Sequence, residues 1–118
     1  MGKRILIVDD DPVIRALVSD IISSLGHSVE ALASGADCIS RLSHDVPDML
    51  FLDLQMPDMT GFEVLKSIRD NADTAALPVV MLSANEDCAS NAPEGPRPDE
   101  YLQKPFEMRE LLSVLLRH

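Results

Sequence analysis

The stretch Arg4-Ile5-Leu6-Ile7-Val8-Asp9-Asp10-Asp11-Pro12 decides how this chain is read. The run Ile5–Val8 has no polar side and stops at acids. It therefore predicts a strand buried on both faces, as in a parallel sheet covered by helices. Asp11 directly before Pro12 predicts a helix start, with Asp11 as cap and Pro12 in the first helical position. Ile14, Leu17, Val18, Ile21 and Leu25 follow at helical spacing, and Gly26 is a natural stop.

Outward from there the pattern alternates. Ser28–Ala33 reads as a second strand and Ser34–Ser43 as a short helix with Cys38, Ile39 and Leu42 on one face. Met49–Leu52 is a third buried strand ending at Asp53. A loop with Pro57 and Gly61 leads to a helix carrying Phe62, Val64, Leu65 and Ile68. Val79–Leu82 is a fourth strand ending at Ser83, and Tyr101–Gln103 a short fifth ending at Lys104. Glu107–Leu116 closes as a helix with Met108, Leu111, Leu112 and Leu115 on its main stripe. Val114 and Leu116 fall off that stripe; a weak homodimer or partner surface is one reading, frayed terminal residues the other. Such alternation implies an α/β fold, a doubly wound parallel sheet with right-handed crossovers, and residues 1–118 as one domain. The stretch between Ser83 and Tyr101 breaks the pattern. Pro93, Pro96 and Pro98, with Gly95, cannot sit inside a helix, so a fourth helix there should be short, distorted or absent. Residues 86–98 read either as a segment that orders on modification or partner binding, or as a tolerated surface loop.

Composition narrows the function. Hydrophobic residues make up 46% and aromatics only 3%, so the core must be aliphatic. The net charge of −10 argues against nucleic acid as a direct ligand, which needs a basic footprint. Cys38 and Cys88 show no CxxC spacing, so neither a disulfide framework nor a zinc site is suggested. No signal peptide is expected at the N-terminus, and no apolar run has membrane-span length. The expectation is a reducing, cytoplasmic setting with no membrane contact.

Polar residues stand where the buried strands end: Asp9 and Asp10 after the first, Asp53 after the third, Ser83 after the fourth, Lys104 after the fifth. Open α/β sheets bind ligands beyond the carboxyl ends of their strands, where strand order reverses. A 2-1-3-4-5 order would gather Asp9, Asp10 and Asp53 in one pocket flanked by Ser83 and Lys104. Two carboxylates about 4 Å apart repel by roughly 4 kcal/mol at an effective dielectric near 20. Such a trio needs a cation, or one acid must keep its proton. Hard oxygen ligands without His or Cys favour Mg²⁺ over zinc. With a phosphoryl donor added, Lys104 and Ser83 would face the transferring group, and an in-line attack by Asp53 would complete the parts.

These residues resemble the response-regulator receiver domain of two-component signalling, typified by the chemotaxis response regulator. The likeness runs the whole chain: VDDDP at 8–12, FLDLQMPDMTG at 51–61, PVVMLSA at 78–84 and YLQKPF at 101–106. Each piece is weak alone; together, in order and at this spacing, they are specific. The resemblance implies a flavodoxin-like fold and a switch that accepts a phosphoryl group on Asp53 in a Mg²⁺-dependent reaction. It implies Asp10, Asp53 and the backbone carbonyl of Gln55 as metal ligands, with Asp9 acting largely through bridging water. Ser83 and Lys104 take the position of the phosphoryl-sensing pair, and Tyr101 that of the switch aromatic. The Lys104–Pro105 bond matches one usually cis. The implied partners are a histidine kinase or histidine phosphotransfer protein and a downstream protein or fused output domain. The chain would be no enzyme in the ordinary sense, but a phosphoacceptor that catalyses its own phosphotransfer and slow autodephosphorylation. Gln55 and Asn85 match positions that tune phosphoryl lifetime. The unusual segment before Tyr101 departs from the family, whose fourth helix usually contributes to the output surface.

Other residues read more plainly. Asp11 reads as a cap rather than a ligand, and Asp58 as a turn residue. Tyr101 reads equally as a switch or as cover over core groups. His27, His44 and His118 are scattered and read as solvated, and Met56 and Met59 as packing. Two rival functions stand. A metal-dependent aspartyl phosphatase would place a second acid two residues after the nucleophile, where this chain has Gln55. An interaction module that lost the chemistry would not need the full set Asp10, Asp53, Ser83 and Lys104.

Overall fold

A computed structural model describes residues 2–84 and 94–118 of the chain. The strands among the described residues are β1 (Arg4–Val8), β2 (Ser28–Leu32), β3 (Met49–Asp53), β4 (Val79–Ser83) and β5 (Glu100–Gln103). The helices among the described residues are α1 (Pro12–Ser24), α2 (Gly35–Leu42), α3 (Gly61–Asp70) and α4 (Met108–Arg117). Every strand pairing is parallel, and the sheet order is β2-β1-β3-β4-β5, the doubly wound arrangement the sequence implied. The expected fourth helix between β4 and β5, along with Asn85 and Cys88, falls on residues 85–93, outside the described residues.

Alternation along the central strands divides the core in two, because successive side chains point to opposite faces. Ile5, Ile7, Met49, Phe51, Val80 and Leu82 pack with Val18 and Ile22 of α1 and Leu111, Val114 and Leu115 of α4. Leu6, Val8, Leu50, Leu52, Val79 and Met81 pack with Cys38 and Leu42 of α2 and Val64, Leu65 and Ile68 of α3. β1, β3 and β4 are buried on both sides; β2 at the edge is only half covered.

Local chemistry sets where each helix begins. Asp11 caps α1, its carboxylate accepting from the Val13 N–H at 2.9 Å, with Pro12 at the start. Ser34 caps α2, and Thr60 and Glu63 form a reciprocal capping box on α3. Gly26 takes φ +91°, a conformation glycine adopts without strain.

Two helix faces differ from the sequence reading. In α4, Val114 is 2% exposed and belongs to the core, while Met108 at 58% and Leu116 at 88% face outward. In α1, Val18 and Ile22 are buried, whereas Leu17 and Leu25 are about half exposed. Both helices carry more apolar residues than one buried stripe can hold. The rotation that fits the sheet selects Leu111, Val114 and Leu115 in one helix and Val18 and Ile22 in the other. Val114→Ala is accordingly expected to lower unfolding free energy by about 1–3 kcal/mol, and Leu116→Ala to stay within about 0.5 kcal/mol. Urea denaturation of the two variants checks this.

Candidate functional site

The parallel register brings the acids together. Val8 pairs with Leu52, so Asp9 and Asp53 follow side by side at the ends of β1 and β3. One carboxylate oxygen each from Asp9, Asp10 and Asp53 lie within 4.8 Å of one another. Across the sheet Ser83 pairs with Gln103, which delivers Lys104 to the same edge. There the Lys104 N–H donates to the Ser83 carbonyl at 2.6 Å. The result is a cleft of about 560 Å³ lined by Asp9, Asp10, Asp53, Gln55, Ser83 and Lys104, the acids and polar groups that the sequence singled out.

The three acids are not equivalent. Asp9 is fully buried, and both its oxygens are engaged. Oδ1 accepts from the Asp11 N–H at 2.9 Å and Oδ2 from Lys104 Nζ at 2.7 Å. Asp53 is 6% exposed and receives Lys104 Nζ at 3.3 Å. Asp10 is exposed to solvent at the cleft mouth. Burial pushes the Asp53 carboxyl up to about 7, and the Asp9 charge adds to this against the opposing pull of Lys104. Burial lowers the Lys104 ammonium, but its hydrogen bond to Asp9 and the Asp53 charge outweigh that, leaving it raised. One ammonium thus bridges two buried carboxylates and leaves Asp53 only partly satisfied, and the surplus negative charge is the electrostatic signature of a cation site. The donors are hard oxygens, and no His or Cys among the described residues lines the cleft, a set suited to Mg²⁺.

Ser83 is buried at the cleft wall, and Tyr101 sits apart from it. The Tyr101 ring packs against the α2–α3 side of the core, and its hydroxyl is buried with no hydrogen-bond partner among the described residues. The Lys104–Pro105 peptide is cis, as the resemblance implied.

Some contributors escaped the sequence reading. Arg15 of α1 reaches back to donate to the Asp9 carbonyl at 2.7 Å and fixes the acidic loop from below. Its signal was a cation near a helix N-terminus, against the dipole preference, three residues before the buried Val18. Phe62 lines the cleft beside Gln55. Gly61 passes so near Asp53 that a Cβ there would lie 2.7 Å from the Asp53 carbonyl oxygen and 2.9 Å from the Leu54 Cα. Asp58, read as a turn residue, lies in that turn and also accepts from the Gly35 and Ala36 N–H groups of α2.

The chain matches the response regulator receiver domain family over residues 5–116. It is 37% identical over 114 residues to the response regulator MprA of Mycobacterium tuberculosis, covering 96% of this chain and 49% of MprA. It therefore spans about half the length of the curated relatives it matches. Among solved structures, the chemotaxis response regulator CheY4 of Vibrio cholerae superposes with a TM-score of 0.92 at 30% identity, covering 99% of this chain and 98% of that one. The receiver domain of a Pseudomonas aeruginosa sensor histidine kinase, solved with magnesium coordinated in its active-site cleft, gives 0.90 at 28% identity, covering 99% and 97%. Fold and site define a small α/β domain of the phosphorylation-switch class. The chain belongs to the response regulator receiver domain family of two-component signalling.

The Asp53 environment fixes a pH dependence. Between its ordinary value of 3.8 and about 7, the unfolded chain loses the proton that folded Asp53 keeps. Stability from this group therefore falls as pH rises through that window. In metal-free buffer, Asp53→Asn is expected to be more stable than wild type by about 2 kcal/mol near pH 8 and roughly equal near pH 4. Denaturant unfolding across that range tests it; a variant without advantage near pH 8 would contradict the burial account.

Proposed function

We propose that Asp53 accepts a phosphoryl group from the phosphohistidine of a histidine kinase or histidine phosphotransfer protein. The observation that carries this is the acid trio within 4.8 Å, crossed by the Lys104 ammonium. Asp10, Asp53 and the Gln55 carbonyl would hold Mg²⁺, with Asp9, whose oxygens are already engaged, contributing through water. When bound, the ion neutralises charge on the transferring oxygens. An Asp53 oxygen forms a bond to phosphorus as the bond from phosphorus to the donor imidazole breaks, and the imidazole leaves with the electron pair. Lys104, already 3.3 Å from Asp53 Oδ1, turns its ammonium from carboxylate to phosphoryl oxygens, and the Ser83 hydroxyl donates to another. Hydrolysis of the aspartyl phosphate resets the chain slowly, so it acts as a self-modifying switch rather than a turnover enzyme.

The phosphorylated state adds about −1.5 to −2 charge at the sheet edge. Ser83 and Lys104 shift toward it, and Tyr101, whose hydroxyl is not tied to a described partner, reorients. A downstream protein or fused output domain that prefers this arrangement reads the signal, and its binding favours phosphorylation in return. The chain works in the cytoplasm on this reading; no helix among the described residues is long and apolar enough to cross a membrane.

Incubation with Mg²⁺ and a small acyl-phosphate or phosphoramidate donor, followed by intact-mass and peptide mapping, separates the rival functions. The expected result is a persisting single adduct on Asp53, lost on chelation of Mg²⁺ before mixing and absent in Asp53→Asn. Rapid multiple turnover would mark a phosphatase instead, and no reaction a bare interaction module.

A further inference from the structure

The loop between β3 and α3 carries the Gln55 carbonyl, and little regular structure holds it. Its internal brace is the isolated antiparallel bridge between Gln55 and Thr60. One end is tied by the Gly61 N–H to the Leu54 carbonyl at 2.6 Å and by the Gln55 N–H to Asp53 Oδ1 at 3.5 Å. The outer turn is held from elsewhere in the chain. Asp58 Oδ1 accepts from the Gly35 N–H at 3.2 Å and Oδ2 from the Ala36 N–H at 2.9 Å. These are the opening residues of α2, whose N–H groups have no partner within the helix. The same helix has its own cap, Ser34, which accepts from the Asp37 N–H at 3.1 Å. Asp58 is thus a second cap from a distant loop, spending both carboxylate oxygens on one helix end. Met59 reinforces the contact: a Cβ at Gly35 would lie 3.0 Å from its sulfur and 3.1 Å from its Cβ. The Ala36 and Gly35 N–H groups hold the Asp58 carboxyl below the usual carboxylate range.

We propose that Asp58 is a positioning residue for the cation site, docking the loop onto α2 so that the Gln55 carbonyl is fixed for Mg²⁺. It rests on the assignment of Gln55 as a ligand. Groups that orient a metal's direct ligands commonly matter to affinity nearly as much as those ligands. Linkage makes the effect mutual: whatever order the α2 start lends the ion, the bound ion returns to the α2 start. Mg²⁺ binding at the sheet edge is thereby felt at α2.

The test is calorimetric titration of the whole chain with Mg²⁺, together with amide hydrogen exchange at Gly35 and Ala36. Asp58→Ala is expected to weaken Mg²⁺ about tenfold. Asp58→Asn, which keeps one acceptor oxygen, should weaken it about threefold. Ser34→Ala removes the helix's own cap without touching the loop and should change affinity less than about twofold. Saturating Mg²⁺ should slow exchange at Gly35 and Ala36 in wild type but not in Asp58→Ala. Equal Mg²⁺ affinity in wild type and Asp58→Ala would overturn the proposal, as would equal losses in Asp58→Ala and Ser34→Ala. A wild-type chain that binds no Mg²⁺ would sink the cation-site assignment itself, and this inference with it.

Discussion

Two buried carboxylates at the ends of adjacent parallel strands, sharing one ammonium, are the constraint around which this molecule is arranged. Asp9 and Asp53 are placed side by side by the β1–β3 register, and Lys104 bridges them from beyond β5. Burying a charge is costly unless it is paired and hydrogen-bonded. Asp9 meets that condition through the Asp11 N–H and Lys104. Asp53 meets it only in part, which is why burial drives its carboxyl up to about 7. The site is thus electrostatically unfinished, with Asp53 only partly paired by the ammonium it shares with Asp9.

The surrounding structure holds that imbalance in place. Three double-sided strands packed between two aliphatic layers make the sheet edge rigid, so the acids cannot drift apart to relieve repulsion. Arg15 fixes the Asp9 carbonyl, Asp11 does double duty as helix cap and donor to Asp9, and Gly61 lets α3 begin in contact with the Asp53 backbone. Each ties a helix N-terminus to the cleft. Strain imposed at the cleft therefore has short routes into α1 and α3.

That geometry bears on how a small change could be read at a distance. Among the described residues three features bear on this: an ammonium with a choice of oxygen partners, a tyrosine hydroxyl with no partner, and a loop whose outer turn is held by one carboxylate. Packed cores shift between discrete arrangements rather than bending smoothly. A switch built from such parts needs only a modest energetic bias, of the order of 1–3 kcal/mol, to alter partner binding.

Much of this was legible in the chain itself. Ile5–Val8, Met49–Leu52 and Val79–Leu82 are apolar throughout, so strands buried on both sides followed directly, and the acids, Ser83 and Lys104 at their ends marked one edge. Asp11-Pro12 and Gly26 bounded α1 as written, because capping and glycine turns are local chemistry. The tertiary structure decided what depends on partners far along the chain. It chose Val114 over Met108 and Ile22 over Leu17, since a helix with surplus apolar residues is oriented only by the sheet it meets. It made Asp9 the buried, fully engaged acid and Asp10 the exposed one, a difference of side-chain direction at the end of a strand. It made the turn residue Asp58 a clasp on α2 as well, because the donors it satisfies lie 22 and 23 residues away and only folding brings them within reach.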